Sequence, residues 1–306
     1  MIREILVPVR GDGKGDNVLA HASALARRFK SHVVVTHCRP RPQDLLPFGV
    51  PVPAFLKDQL HKQAIELANE VEKSLKSEFD RLVQKFDLTV SAEPIVGTAT
   101  ATWVEEEGRQ VEVIKRHGRL VDLIAVAQPD KAGMLGVNSL KAALFHTGRP
   151  VLLCPPAETP PVQIGTHIVI AWNGSTEAAR AVALNGGLLE DATNVTILTG
   201  GEEIYGTTAD DLASYLKNRG IKPAIERFSA HHNVGKELLN RCRELGADLM
   251  IMGAYGDNHQ KEIMFGGNTQ TIIESTHMPV VLVHSGGKAQ RGLGNAEPAP
   301  LSNGGP

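Results

Sequence analysis

Three segments of this 306-residue chain occur twice in the same order, and that duplication limits its fold more than any other feature. EILVPV (4–9) returns as HIVIAW (167–172). GRLVDLIAVA (118–127) returns as LGADLMIMGA (245–254), and TGRPVLLCP (147–155) as THMPVVLVH (276–284). Each holds an apolar run of strand length, and the stretches between carry helical periodicity. The first copy reads as strands at 4–9, 32–38, 88–94, 122–127 and 151–154, with helices at 17–29, 55–86, 99–117 and 139–147. The second reads as strands at 167–172, 194–199, 224–228, 248–252 and 280–283, with helices at 175–189, 209–218, 234–245 and 263–276. Strands that alternate with helices pair in parallel through right-handed crossovers. The expected fold is therefore α/β, as two tandem open five-stranded parallel sheets with helices on both faces.

Composition narrows the function. The chain is 42% hydrophobic and 22% charged, with a formal net charge of −2, so no positive field draws it to nucleic acid or to an anionic membrane. Aromatic residues make up 4%, too few for stacking platforms on single strands. No run of eighteen apolar residues occurs and MIREILVPVR has no signal-peptide core, so a cytoplasmic protein is expected. Cys38, Cys154 and Cys242 are odd in number and far apart, and read as buried thiols rather than as disulfides or zinc ligands. PPAETPP (155–161) reads as a stiff linker, and 286–306, rich in Gly and Pro, as a flexible tail. The expected domains are 1–156 and 163–285, joined at 157–162.

Glycines mark the candidate sites. RGDGKGDN (10–17) follows a strand and precedes a helix, but its G-x-G-x-G spacing is not a dinucleotide fingerprint, and a tight solvated loop is the reading. In AWNGSTEAAR (171–180), Trp172 and Asn173 end a strand where a ring and an amide can meet a base or ribose. They serve equally as a buried tryptophan beside a helix cap. No P-loop, nucleophile elbow or HEXXH occurs, and no catalytic residue or metal ligand is expected. The richest stretch is 249–283, where Met252 and Gly253 are followed by Gly256, then by the pair Gly266-Gly267, Asn268 and Thr269. Glycines at a strand's carboxyl end and amides at a helix N-terminus suit phosphate.

This spacing resembles the G-x-x-G-x9-G-[ST] nucleotide motif of universal stress proteins, and residues 1–284 look like a tandem member of that family. The resemblance implies the adenine nucleotide alpha hydrolase-like fold and a pseudo-dimer paired through the fifth strands, Val151–Cys154 against Val280–Val283. It implies a non-catalytic stress-response role, with ATP or another adenine nucleotide bound in the second domain and Mg only in company with the nucleotide. Ala171, Trp172 and Asn173 would then take base and ribose. Met252, Gly253, Gly256, Gly266, Gly267, Asn268 and Thr269 would take the phosphates. Asn173 stands where the family has Asp, and Gly267 where it has Ser or Thr. In the first copy Ala127 and Asp130 replace the motif glycines and Arg10 replaces the acid, so no nucleotide is expected there. Two other readings compete: a nucleotide-independent interaction module, and a slow ATPase using Lys261 and Asp257. A further homodimer is compatible with the family.

Overall fold

The computed structural model describes residues 1–9, 14–39, 41, 54–130, 136–159, 161–200, 206–229, 233–255 and 267–284, leaving aside the side chains of 54–58, 60, 61 and 64. The first half runs β1 Glu4–Val9, α1 Gly15–Phe29, β2 His32–Arg39, α2 Ala54–Lys85, β3 Thr89–Val90, β4 Thr100–Glu107, α3 Gln110–His117, β5 Leu123–Ala127, α4 Val137–His146 and β6 Val151–Cys154. The second runs β7 His167–Ala171, α5 Thr176–Leu184, α6 Gly186–Glu190, β8 Asn194–Gly200, α7 Ala209–Lys217, β9 Ala224–Phe228, α8 Val234–Glu244, β10 Leu249–Gly253, α9 Asn268–Ser275 and β11 Val280–Val283.

Among the described residues, eleven strands form one sheet in the order β3-β4-β2-β1-β5-β6-β11-β10-β7-β8-β9. Within each half the core strands follow the same order, the third, second, first, fourth and fifth. Pairing is parallel inside each half. The halves meet through their fifth strands, antiparallel, with Val280 opposite Leu153 and Leu282 opposite Val151. The expected pseudo-dimer is thus a single continuous sheet. Each residue of β6 and β11 is at most 1% exposed.

Strand alternation splits the core into two layers. Ile5, Val7, Leu152, Ile168, Ile170, Leu249, Ile251 and Val281 pack with α1, α2, α5 and α7. Leu6, Leu153, Val169, Met250, Met252, Val280 and Leu282 pack with α3, α4, α8 and α9 on the opposite face. Runs apolar at every position are what a parallel sheet covered on both sides requires.

The sequence expectation differs from the structure in three places. Residues 88–94 hold only the two-residue edge strand β3. The first half's third core strand is β4, inside the stretch expected to be helical from 99 to 117. Its β-branched Thr100, Thr102 and Val104 extend the chain beside β2 over eight residues, from His32↔Thr100 to Arg39↔Glu107. The glutamates at 105–107 give that strand a helix-like composition. The helix expected over 175–189 breaks at Asn185, ahead of the Gly186-Gly187 pair, into α5 and α6. The expected tail lies outside the described residues.

The repeated D-L motif has a physical task. Asp122 Oδ2 accepts the N–H groups of Arg3 at 2.6 Å and Glu4 at 3.0 Å, at the start of β1. Asp248 repeats this at β7, with Oδ1 accepting from Gly165 at 3.1 Å and His167 at 3.0 Å, and Oδ2 from Thr166 at 2.9 Å. The repeated threonines behave alike: Thr147 Oγ1 accepts the N–H of Arg149, and Thr276 Oγ1 that of Met278, both at 3.2 Å. Hydrogen bonds to a charged group are worth about 1.5–3 kcal/mol each, and donors left without an acceptor cost a similar amount. Asp248→Ala should therefore lower unfolding stability in urea by about 2–4 kcal/mol, with Asp248→Asn intermediate. A loss for Asp248→Ala below about 0.5 kcal/mol would remove the strand-anchoring role.

Two histidines tie stability to pH. Burial holds His21, whose Nδ1 lies 2.8 Å from the Asn17 carbonyl, below its usual 6.5. Burial does the same to His32, whose Nδ1 lies 2.7 Å from Thr100 Oγ1. The unfolded chain gains a proton at each near pH 6.5, the folded chain only at lower pH, so stability is complete above about pH 7 and falls on acidification through 6.5. The melting temperature should drop between pH 7.5 and 5.5, and drop less in His21→Leu/His32→Val. An equal drop in that variant would assign the effect elsewhere.

Candidate functional site

The site follows from strand order. In the second half, β7 lies between β8, reached through α5 and α6, and β10, reached from the opposite edge. The chain's direction of travel reverses between β7 and β10, the crevice where open α/β sheets take ligands at their carboxyl ends. Ala171 and Met252 sit opposite one another there, the last register pair of the two strands. Both side chains turn to the α8/α9 face.

Gly253, one residue on, turns to the other face and meets the first turn of α5. A Cβ at Gly253 would lie 2.6 Å from the Ala178 nitrogen and 2.6 Å from Glu177 Cβ. Glycine is needed there for helix-to-strand contact, whatever else the site does. Glu177, which the sequence reading passed over as a first-turn acid, is 3% exposed beneath this contact. Its one sequence signal was position, since carboxylates favour helix N-termini.

Trp172 is 5% exposed and belongs to the α1/α2/α5/α7 core. Its Nε1–H donates to the Thr207 carbonyl at 3.1 Å, so the ring secures the approach to α7. Its backbone N–H is also used, donating to the Leu198 carbonyl at 2.9 Å. Asn173 is exposed, and its Oδ1 accepts from Ser175 N at 3.1 Å and Ser175 Oγ at 2.7 Å. That bond identifies Oδ1, leaving Nδ2 as the amide's donor side. Ser175 in turn caps α5, its side chain accepting from Ala178 N.

Gly267 precedes α9 at φ 97, ψ −170. That region is essentially reserved for glycine, so a Ser or Thr here would be strained. Asn268 Oδ1 accepts the Gly235 N–H at 3.2 Å, which turns the side chain toward the start of α8. A Cβ on Gly235 would lie 2.8 Å from the Asn268 carbonyl oxygen, so the two helix starts touch. Thr269 is half-buried in the first turn of α9. Tyr255 Oη reaches Gln270 Oε1 at 3.5 Å and joins the end of β10 to that turn. Gly256, Gly266, Asp257 and Lys261 lie outside the described residues.

Residues 190–284 match the pattern of the Universal stress protein family. That segment belongs to the universal stress protein family. It includes Met252 through Thr269 and stops short of Ala171, Trp172 and Asn173. No curated protein matches the chain. Among solved structures, the chain resembles a universal stress protein from Archaeoglobus fulgidus DSM 4304, at TM-score 0.67 and 15% identity, covering 92% of this chain and 98% of that one. It also resembles a putative universal stress protein from Pseudomonas aeruginosa UCBPP-PA14, at TM-score 0.51 and 14% identity, covering 92% and 93%. At these identities the likeness establishes the fold, and it spans both halves.

Outside the matched universal stress protein segment, the first half has the same crossover between β1 and β5. Ala127 stands there in place of Gly253. Among the described residues, Val9, Lys14, Gly15, Val126 and Ser139 line a cleft of about 20 Å³ with it. Lys14 Nζ spans the cleft to the Gln128 carbonyl at 3.5 Å. Arg10 lies outside the described residues.

The backbone at Gly267 yields a test. Gly267→Ala should cost about 1–3 kcal/mol in chemical denaturation, from the strained φ alone. Gly267 replaced by D-alanine through semisynthesis should retain wild-type stability. Equal stability of the L and D variants would contradict the positive-φ cap.

Proposed function

We propose that the chain is a tandem, non-catalytic universal stress protein whose second unit, 163–285, binds ATP or another adenine nucleotide at the crevice between β7 and β10. The observation that carries this reading is the register pair Ala171↔Met252 at that crevice, inside a unit whose residues 190–284 match the family. Backbone around Ala171 and the Nδ2 amide of Asn173 would meet base and ribose. Amides at 267–269 opening α9, with those near Gly256 and Gly266, would meet phosphates, where the helix dipole favours negative charge. Mg would enter only with the nucleotide. The first unit, 1–156, then serves as the structural partner in the pseudo-dimer. We place the protein in the cytoplasm, in keeping with the absence, among the described residues, of any helix long and apolar enough to cross a membrane.

One set of observations favours a second reading, a nucleotide-independent interaction module. The Trp172 indole N–H and the Asn268 Oδ1 already have partners within the fold, and Gly253 is required by packing. Calorimetry separates the two readings. ATP, ADP or AMP should bind with one site per chain, and Asn173→Ala should weaken binding about 5–20-fold, the worth of roughly one hydrogen bond. Gly253→Val is unsuitable as a control because its side chain would strike α5. Absence of heat with all three nucleotides at millimolar concentration, for a folded chain, would leave the interaction module.

A further inference from the structure

A second cavity lies beside the crevice, at the seam between the two halves. It measures about 390 Å³, within the range of about 300–1,000 Å³ usual for small-molecule pockets. Its walls are α4 of the first half and α9 of the second, on one face of the sheet. Leu140, Leu144 and Ile273 form an apolar floor, and Phe145 and Tyr255 an aromatic wall. Those two rings sit 5.3 Å apart at 50°, and the His284 ring meets Phe145 edge-on at 4.9 Å. The wall is therefore held in place rather than collapsed into the space.

The polar groups are arranged with a direction. Tyr255 Oη donates to Gln270 Oε1, and Gln270 Nε2 donates to Glu274 Oε1. The relay ends on an exposed carboxylate that can accept about four hydrogen bonds. Among the described residues, Asp130 and Lys141 also line the cavity, each already engaged by a partner of its own. The Glu274 carboxylate at the end of that relay favours a donor, neutral or singly positive, over an anion. The Tyr255 ring, which feels the Glu274 charge, adds attraction for a cation.

We propose that this seam cavity is a binding site for a small aromatic molecule carrying a hydrogen-bond-donating, cationic group, distinct from the nucleotide crevice. Because its walls come from both halves, only the docked pair forms it, and occupancy stabilises that pairing by mass action.

The test uses two probes with one ring and opposite charge, tryptamine and indole-3-propionate, followed by saturation-transfer NMR on the full chain. Tryptamine should show saturation at least about fivefold stronger and should raise the melting temperature. Excess ATP should not displace it. Val137→Trp, which puts a bulky ring on the cavity wall from the first turn of α4, should abolish the effect with the far-ultraviolet circular dichroism unchanged. Should that variant misfold, Glu274→Gln on the surface of α9 keeps the shape and should erase the preference for tryptamine over indole-3-propionate. No saturation by tryptamine, equal saturation by both probes, or displacement by ATP would each overturn the proposal. So would a concentration-dependent dimer in sedimentation that Val137→Trp dissolves, since a second copy would then occupy the face.

Discussion

The antiparallel pairing of β6 with β11 is the contact on which the rest depends. These strands lie at the centre of an eleven-stranded sheet, and their side chains are sealed between helices of both halves. Burying one Val or Leu contributes about 1.5–3 kcal/mol, so separating the pair would expose several such side chains along with a row of unpaired backbone groups. Polar contacts reinforce it at a distance. Arg28 reaches the Ile164 carbonyl at 2.8 Å and ion-pairs with Asp191. The surface arginine pair adds little by itself, since exposed ion pairs are worth about 0–1 kcal/mol. Apolar burial holds the seam.

Once that pairing is fixed, each half's strand order puts its crossover point toward the sheet's middle rather than at an edge. The two crevices then lie on either side of the seam, and the helices opening beside them, α4 and α9, flank the central strands. What happens at one crevice is therefore mechanically close to the interface. Tyr255 shows this: it ends the β10 edge, touches the first turn of α9 through Gln270, and packs on Phe145 of the other half. Burial, with Glu274 adding to it, raises its phenol above the usual 10, so it stays a hydrogen-bond donor.

Much of this was legible in the residues because duplication is a redundant signal. EILVPV and HIVIAW became β1 and β7, and the two D-L motifs became β5 and β10 with their aspartates on matching strand starts. The fifth-strand pairing followed from the family resemblance, and the register Val281↔Leu152 bears it out. The first half's third strand was hidden because TATWVEEE combines β-branched residues with helix-favouring glutamates, and only its long partner β2 decides between them. Side-chain direction was hidden as well. Nothing in the sequence shows that the Trp172 ring faces the core or that Asn268 reaches Gly235, since both depend on helices distant in sequence. Gly253 read as a phosphate glycine, whereas its packing on α5 is reason enough for it.

The difference between the two halves is sharpest at one pair of aligned residues, Gln128 and Ala254. Both backbone N–H groups do the same thing, donating to the last residues of their fifth strands, Cys154 at 2.9 Å and Val283 at 2.8 Å. Their side chains part company. Ala254 is a buried methyl, whereas the Gln128 amide crosses the seam and donates to the Ile273 carbonyl at 2.7 Å, near the C-terminal end of α9. There it satisfies a carbonyl that the helix end leaves open. The first half thus spends the end of its fourth strand on gripping the second half's helix. The second half leaves that strand end small and glycine-bearing. The two halves present equivalent edges, and a single side chain tells them apart: Gln128 is part of the joint, and Ala254 is not.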